Sequence, residues 1–288
     1  MTSHYTPVFS CEFFPPRNEK GMQKLRQVQE KLKIAQPNYF SITFGAAGST
    51  QDKTFDTVVD IQQNAGIDAA PHLSCIGSQK DNIAELLNKY KEKGIKRIVA
   101  LRGDRPSGLM GRIGDFKNAN QLVQFIRDTT GDHFHIEVAA YPEFHPQARS
   151  PSNDLDFFKQ KVEAGANGAI TQYFYNADAY FRFLDECEKR QINIPIYAGI
   201  MPITNVEQLL RFSDACGAEI PRWVRLRLQE LEGDSAAIAA FGEEVVTQLC
   251  QRLIDEKVVG LHFYTLNRAA PTLKIVKNLN MITDTVSI

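Results

Sequence analysis

Short apolar, β-rich runs alternate with longer amphipathic ones along the whole chain. The pattern predicts a first strand over Val8–Phe14 and a polar helix over Glu19–Lys33. Tyr39–Phe44 reads as the second strand, with a helix over Thr54–Ala65 behind it. Further strands follow over Ala69–Cys75, Arg97–Leu101, Phe134–Ala140, Ala169–Phe174, Pro195–Ile200 and Val259–Tyr264. The helices between and after them cover Asp81–Lys93, Asn118–Thr129, Ser152–Ala164, Ala177–Arg190 and Ala270–Leu279, and Asn205–Arg252 holds two or three more. Gly94 and Gly165 stand where helix C-terminal stops belong.

Strand and helix alternating without a break in composition imply a parallel sheet covered by helices. Eight such units in this length predict one closed (β/α)8 TIM barrel, an α/β fold occupying residues 1–288 as a single domain. An open doubly wound sheet is the second choice. That fold advertises a Gly-rich turn after its first strand, and here the turn is Pro15-Pro16-Arg17.

In a barrel of this kind the chemistry sits where the strands end. Those ends carry Glu12, Thr43, His72, Arg102, Asp104, Tyr141, Gln172, Met201 and Tyr264, with Arg268 just beyond. Most are polar and converge on one rim, whereas the opposite strand ends show no comparable set. Glu12 is the centre of the pattern. It lies in the apolar run Phe9–Phe14, which the two prolines terminate because they lack a donor and fix φ. A carboxyl drawn out of water favours its neutral form, and an acid of that kind can donate a proton in a reaction. The plainer reading is a glutamate on an exposed strand face.

Arg102-Gly103-Asp104 sets a cation, a bare backbone and an anion at one strand end. Glycine lets a ligand approach the main chain, and arginine can hold a phosphate or carboxylate through two bonds. A local Arg–Asp pair would explain the same residues. Glu12, Asp104 and His72 include metal-ligand types, but no spacing specifies a metal, and none is expected. Lys161 can reach a phosphate or be a solvated helix residue. His145 reads as a loop residue, His133 and His135 as surface, His262 as a core histidine, and Trp223 as packing.

Composition narrows the partner rather than the fold. The chain is 43% hydrophobic and 23% charged with a net charge of −1, which gives no reason to expect nucleic acid or an anionic membrane surface. A small molecule is the default partner. The five cysteines, Cys11, Cys75, Cys187, Cys216 and Cys250, form no C-x-x-C pair. They read as small buried hydrophobes in a reducing compartment. The first residues lack the pattern of a signal peptide, so a cytoplasmic protein is expected.

Several linked segments resemble the catalytic barrel of the methylenetetrahydrofolate reductases over about Val8–Leu279. They are Glu12–Arg17, Ser41–Ala46, Ala70–Cys75, Ala100–Asp104, Ala140–Glu143, Ala164–Asn167, Ile170–Phe174 and His262–Arg268. The resemblance implies a flavoenzyme in which NADH or NADPH passes a hydride to FAD. The flavin then reduces 5,10-methylenetetrahydrofolate to 5-methyltetrahydrofolate in ping-pong order, feeding methionine synthesis. It implies Glu12 as the general acid that protonates folate N10, and Asp104 as the charge that stabilises a cationic iminium. FAD contacts carried over are Thr43, Gly45, Ala46, His72, Arg102, Gly103, Asp104, Tyr141, His145, Asp154 and Lys161. Folate contacts are Asp104, Gln172, Gln208 and Arg268, with Phe212 as a mobile aromatic on the flavin face.

The chain departs from the enterobacterial pattern at Phe44, where a tyrosine is usual, and at Phe157 and Gln160, where an asparagine and an arginine reach the FAD tail. A homo-oligomer is implied. The regulatory domain of eukaryotic members is not matched, so inhibition by S-adenosylmethionine is not expected. Outside this family, a proline-dehydrogenase-like flavoenzyme, a metal-dependent lyase or a non-catalytic folate or flavin binder would use the same barrel.

Overall fold

Eight parallel strands close on themselves in chain order. The computed structural model describes residues 7–44, 48–103 and 114–282. The strands are β1 (Val8–Phe13), β2 (Tyr39–Ile42), β3 (Asp68–Ser74), β4 (Arg97–Leu101), β5 (His135–Ala140), β6 (Gly168–Thr171), β7 (Ile196–Ile200) and β8 (Gly260–Tyr264). Ser10 of β1 lies opposite Tyr39 of β2 on one side and His262 of β8 on the other, which closes the ring. The chain is therefore a (β/α)8 TIM barrel, as the alternation predicts.

The helices are α1 (Glu19–Leu32), α2 (Gly48–Asn64), α3 (Lys80–Glu92), α4 (Ala119–Thr130), α5 (Pro151–Glu163) and α6 (Ala177–Lys189). After β7 come α7 (Val206–Cys216), α8 (Arg222–Glu230) and α9 (Ser235–Asp255), so the Asn205–Arg252 stretch resolves into three helices. The last is α10 (Ala270–Asn278). Side-chain oxygens of Asn18, Ser150, Asn176, Asn205 and Asp234 accept from backbone N–H groups in the first turns of α1, α5, α6, α7 and α9. Those donors have no partner inside a helix, and each such cap is worth about 1 kcal/mol. None of the helices among the described residues is long and apolar enough to cross a membrane.

Strand side chains alternate between two faces, and here the faces meet two different cores. Phe9, Cys11 and Phe13 of β1 join the main core with Leu25 and Leu32 of α1, all buried. Burying each large apolar side chain contributes about 1.5–3 kcal/mol. The opposite faces fill the barrel. Val99, Ile170 and Tyr197 form a separate small cluster there, with Val8, Leu101 and Tyr264 against it.

Two strands stop earlier than their apolar runs suggest. β6 ends at Thr171 although Tyr173, Phe174 and Tyr175 are buried. These aromatics pack beyond the sheet, where the Tyr173 hydroxyl lies 3.0 Å from Ser213 Oγ of α7. β2 likewise ends at Ile42, with Thr43 and Phe44 only half-buried. α2 begins at Gly48, six residues ahead of the apolar period that announces it.

The expectation that only one end of the barrel is polar inside needs correcting. Toward the strand starts, Glu137 of β5 is fully buried. Its carboxylate accepts 2.8 Å from Tyr39 Oη and 2.6 Å from Arg97 Nη1. The Arg97 guanidinium also lies 4.4 Å over the Tyr39 ring. Burial drives the Glu137 carboxyl up, with Arg97 and Tyr39 opposing. His135 is half-buried rather than a surface residue, with its Nε2 3.8 Å from Glu137. Its value is pushed down to about 4 by burial and then by Arg97 and Arg127.

Candidate functional site

The end of β1 is fixed by the loop that follows β8. Thr265 Oγ1 donates 2.6 Å to the Glu12 carbonyl. Asn267 clamps Phe14, two residues further on, at two points, accepting from Phe14 N and donating to Phe14 O, each at 3.0 Å. Leu266 and Asn267 both have positive φ, at 51° and 55°, so this turn holds a strained backbone to make the clamp. Arg268, the next residue, is exposed, and its Nη1 lies 3.5 Å from Thr204 Oγ1.

The Glu12 side chain is 18% exposed, shielded yet reachable. Its Oε2 lies 3.4 Å from His72 Nε2 and 3.8 Å from His262 Nε2. Among the described residues it makes no hydrogen bond, and His72 Nε2 is buried without one. Burial pushes His72 down, with Glu12 opposing and His262 adding to the fall. A neutral imidazole beside Glu12 follows from that direction. Burial also drives the Tyr264 phenol well up, reinforced by Glu12, and its hydroxyl donates 2.7 Å to Thr171 O. Gly199 makes room for that ring and its acceptor, since a Cβ there would lie 2.9 Å from Tyr264 Cε2 and 2.1 Å from Thr171 O.

Two adjoining cavities open over this rim. One, of about 390 Å³, is lined by Glu12, Thr43, His72, Gly103, Tyr141 and Gln172 among others. The other, of about 620 Å³, is lined by Arg102, Gly103, Tyr141, His145, Asp154 and Lys161, with Phe157 also on its wall. They share Leu101, Gly103, Ala139 and Tyr141. Gly103 has φ +82°, and a Cβ there would fall 1.8 Å from Ser74 Oγ, so no larger residue fits this junction.

The second cavity carries the cations. Lys161 Nζ donates 2.5 Å to Ala139 O. Its value is pushed down to about 8 by loss of hydration, against the pull of the Asp154 carboxylate. Burial drives Asp154 up in turn, and its Oδ2 accepts from His145 N at 2.9 Å. Arg102 Nη2 donates 2.7 Å to Gln147 Oε1, a neutral partner. Lys161 is thus no solvated helix residue. A desolvated ammonium near an arginine that has only neutral hydrogen-bond partners among the described residues favours an anion between them.

The structure therefore gathers most of the expected site residues into one double cavity. Gln208 and Phe212, four residues apart on α7 and half-buried, do not line either part, nor does Arg268. Gly45, Ala46 and Asp104 lie outside the described residues. Sequence reasoning passed over His262 as a core histidine. It is fully buried, but on the inward face of β8 beneath Glu12, with Ser10 Oγ at 2.7 Å from its Nδ1. The signal was its even spacing from Tyr264, which puts both on the barrel's inner face.

Residues 2–280 match the family model for methylenetetrahydrofolate reductase. The chain is 38% identical to the 5,10-methylenetetrahydrofolate reductases of Salmonella typhimurium and Escherichia coli, over 94% of this chain and 90% of each of those proteins. It is 37% identical to a probable methylenetetrahydrofolate reductase (NADH) of rice, over 96% of this chain and 49% of that protein. The chain thus spans about half the length of the plant relative. Among solved structures, an uncharacterised Clostridium thermocellum protein that binds two copies of 5-methyl-5,6,7,8-tetrahydrofolic acid superposes with a TM-score of 0.66. Identity is 15%, with 96% of this chain and 94% of that one covered, a likeness of fold.

Proposed function

The chain belongs to the methylenetetrahydrofolate reductase family of oxidoreductases, and on that premise we propose that it reduces 5,10-methylenetetrahydrofolate to 5-methyltetrahydrofolate with NADH or NADPH. The observation that carries the reading is the junction at Gly103 and Tyr141, where a carboxyl-bearing cavity runs into a cation-bearing one. An elongated dinucleotide suits that shape, with its reactive ring toward Glu12 and its pyrophosphate toward Arg102 and Lys161.

The residues present fit FAD. Lys161 and Arg102 supply the charge for the pyrophosphate, and His145 and Asp154 border the same cavity. Thr43, Gly45, Ala46, His72, Gly103, Asp104 and Tyr141 are the proposed contacts nearer the ring. The chemistry supplied by a bound FAD is hydride relay from the pyridine nucleotide to the folate, in ping-pong order.

Reduction of the folate consumes one hydride and one proton. Glu12 supplies the proton to N10 as the five-membered ring opens to the 5-iminium cation, and Asp104 offsets that cation's charge. Gln172, Gln208 and Arg268 hold the folate, and Phe212 packs on whichever substrate is bound. A cytoplasmic homo-oligomer built from one catalytic barrel over residues 1–288, feeding methionine synthesis, completes the proposal. Rival readings predict different reductants: proline would bleach a proline-dehydrogenase-like flavoenzyme, and a mere binder would show no turnover.

The test is an anaerobic absorbance spectrum of the purified protein supplied with FAD. The oxidised flavin band should bleach with NADH and return with methylenetetrahydrofolate. A protein that never takes up flavin, or whose band stays bleached after the folate, would refute the proposal.

A further inference from the structure

Two neighbouring phenylalanines on α5 are treated oppositely. Phe158 is 3% exposed and packs against Phe183 at 5.7 Å between ring centroids. Phe157 is 41% exposed, belongs to neither apolar core and has no ring partner among the described residues. Single exposed apolar side chains are common on protein surfaces, so exposure alone assigns nothing. Trp223, Leu226 and Val259 are exposed too, and they border neither part of the double cavity. Phe157 differs because it stands on the wall of the cation-bearing part.

Its place along that wall is set by the helix. α5 follows β5 and runs back from the rim, so its first turns stand nearest the cavity mouth. Asn153, Phe157 and Lys161 recur at intervals of four, share one helix face and all line the cavity. Lys161 is the deep member, with its Nζ on the Ala139 carbonyl of β5. Phe157 stands about 6 Å nearer the mouth, one turn of helix. In the same wall is Asn120, from the first turn of α4. Its Nδ2 donates a long 3.4 Å bond to Gln160 Oε1, and its Oδ1 is buried without a partner. A carboxamide with unfinished bonding gains by turning toward a ligand edge that donates.

A dinucleotide carries its base one sugar beyond its pyrophosphate. With the pyrophosphate at Lys161, the base comes toward the mouth, where an aromatic face and a carboxamide wait. Adenine suits both, since its flat face stacks on an aromatic ring and its edge donates and accepts to an asparagine. On the reading of FAD as the cofactor, with its pyrophosphate at Arg102 and Lys161, we infer that Phe157 is the platform on which the adenine stacks. Asn120 meets the edge of that base. The platform makes the site select FAD over FMN, which has no base to place there.

The experiment is titration of the flavin-free protein with FAD, FMN and ADP, in wild type and in Phe157→Ala. Flavin binding is followed by fluorescence and ADP binding by calorimetry. ADP is the tail of FAD without its flavin, and FMN is the flavin without its base. Phe157→Ala should weaken FAD and ADP together by about 5- to 150-fold, the weight of one base–aromatic stack, and leave FMN affinity unchanged. Phe157→Trp should hold ADP at the wild-type affinity. FAD affinity unchanged in Phe157→Ala would overturn the inference. So would FMN weakened as much as FAD, which would mean a damaged cavity and no platform. Wild-type protein that takes up neither flavin would instead sink the proposed cofactor, and the platform with it.

Discussion

The two ends of the barrel interior use the same residue types and treat them oppositely. At the strand starts, Glu137 is saturated by Tyr39 at 2.8 Å and Arg97 at 2.6 Å. At the strand ends, Glu12 has two imidazole nitrogens at 3.4 and 3.8 Å and no hydrogen bond among the described residues. One carboxylate is bonded into the fold, and the other is held near partners without being committed to them. A buried polar group left under-satisfied costs stability, so the rim retains that cost where the interior removes it. The difference separates a structural charge from a reactive one.

Variants should break the comparison at each level. The largest loss of stability is expected from Glu137→Ala, which strands Arg97 and the Tyr39 hydroxyl. Removing one partner of a buried ion pair costs about 3–5 kcal/mol, readable as a lowered denaturant midpoint. An unchanged midpoint would mean that the interior set is dispensable. Gly103→Ala comes next. Its φ of +82° and the Ser74 Oγ 1.8 Å from the new Cβ force the cavity junction to move. A left-handed backbone costs a residue with a Cβ roughly 1–2 kcal/mol, and FAD titration should show a weakened site.

Lys161→Met removes the charge proposed to meet the pyrophosphate. A charge-assisted bond of about 1.5–3 kcal/mol corresponds to roughly 10- to 100-fold in FAD affinity, with folding little changed. The pH dependence sharpens the same point with a smaller effect. Lys161 is pushed down to about 8, and only its protonated form attracts the anion. FAD affinity of the free protein should fall as pH rises through that value. The unfolded chain keeps this proton to higher pH, so the ligand-free protein gains stability over the same rise. Flat affinity from pH 7 to 9 would remove Lys161 from the site.

Much of the barrel was legible because its signals are local. The apolar run Phe9–Phe14 announced β1, and prolines marked the strand's end. Glu12, His72, Tyr141 and Gln172 were readable as a rim because barrel strands end on one side. The interior network was not readable, because nothing in Tyr39, Arg97 or Glu137 alone says that they meet across β2, β4 and β5. That depends on register, in which Arg97 faces His135 and Val99 faces Glu137. His262 is the core histidine expected, but which face it occupies was not readable, since a buried histidine on a strand looks alike on either face. Lys161 needed the fold to reveal its desolvation. The Asn267 clamp was hidden in a family-like segment whose mechanical role appears only when Phe14 is beside it.

The central claim is that Glu12 serves the reaction and not the fold. Glu12→Gln keeps the shape and removes the proton, so it tests that claim most directly when both half-reactions are followed anaerobically beside a melting curve. The account predicts an unchanged melting temperature, normal bleaching of the flavin by NADH, and reoxidation by methylenetetrahydrofolate slowed by about 10²–10⁴-fold, the usual weight of a general acid. Reoxidation at the wild-type rate, or a collapse of the melt, would contradict it.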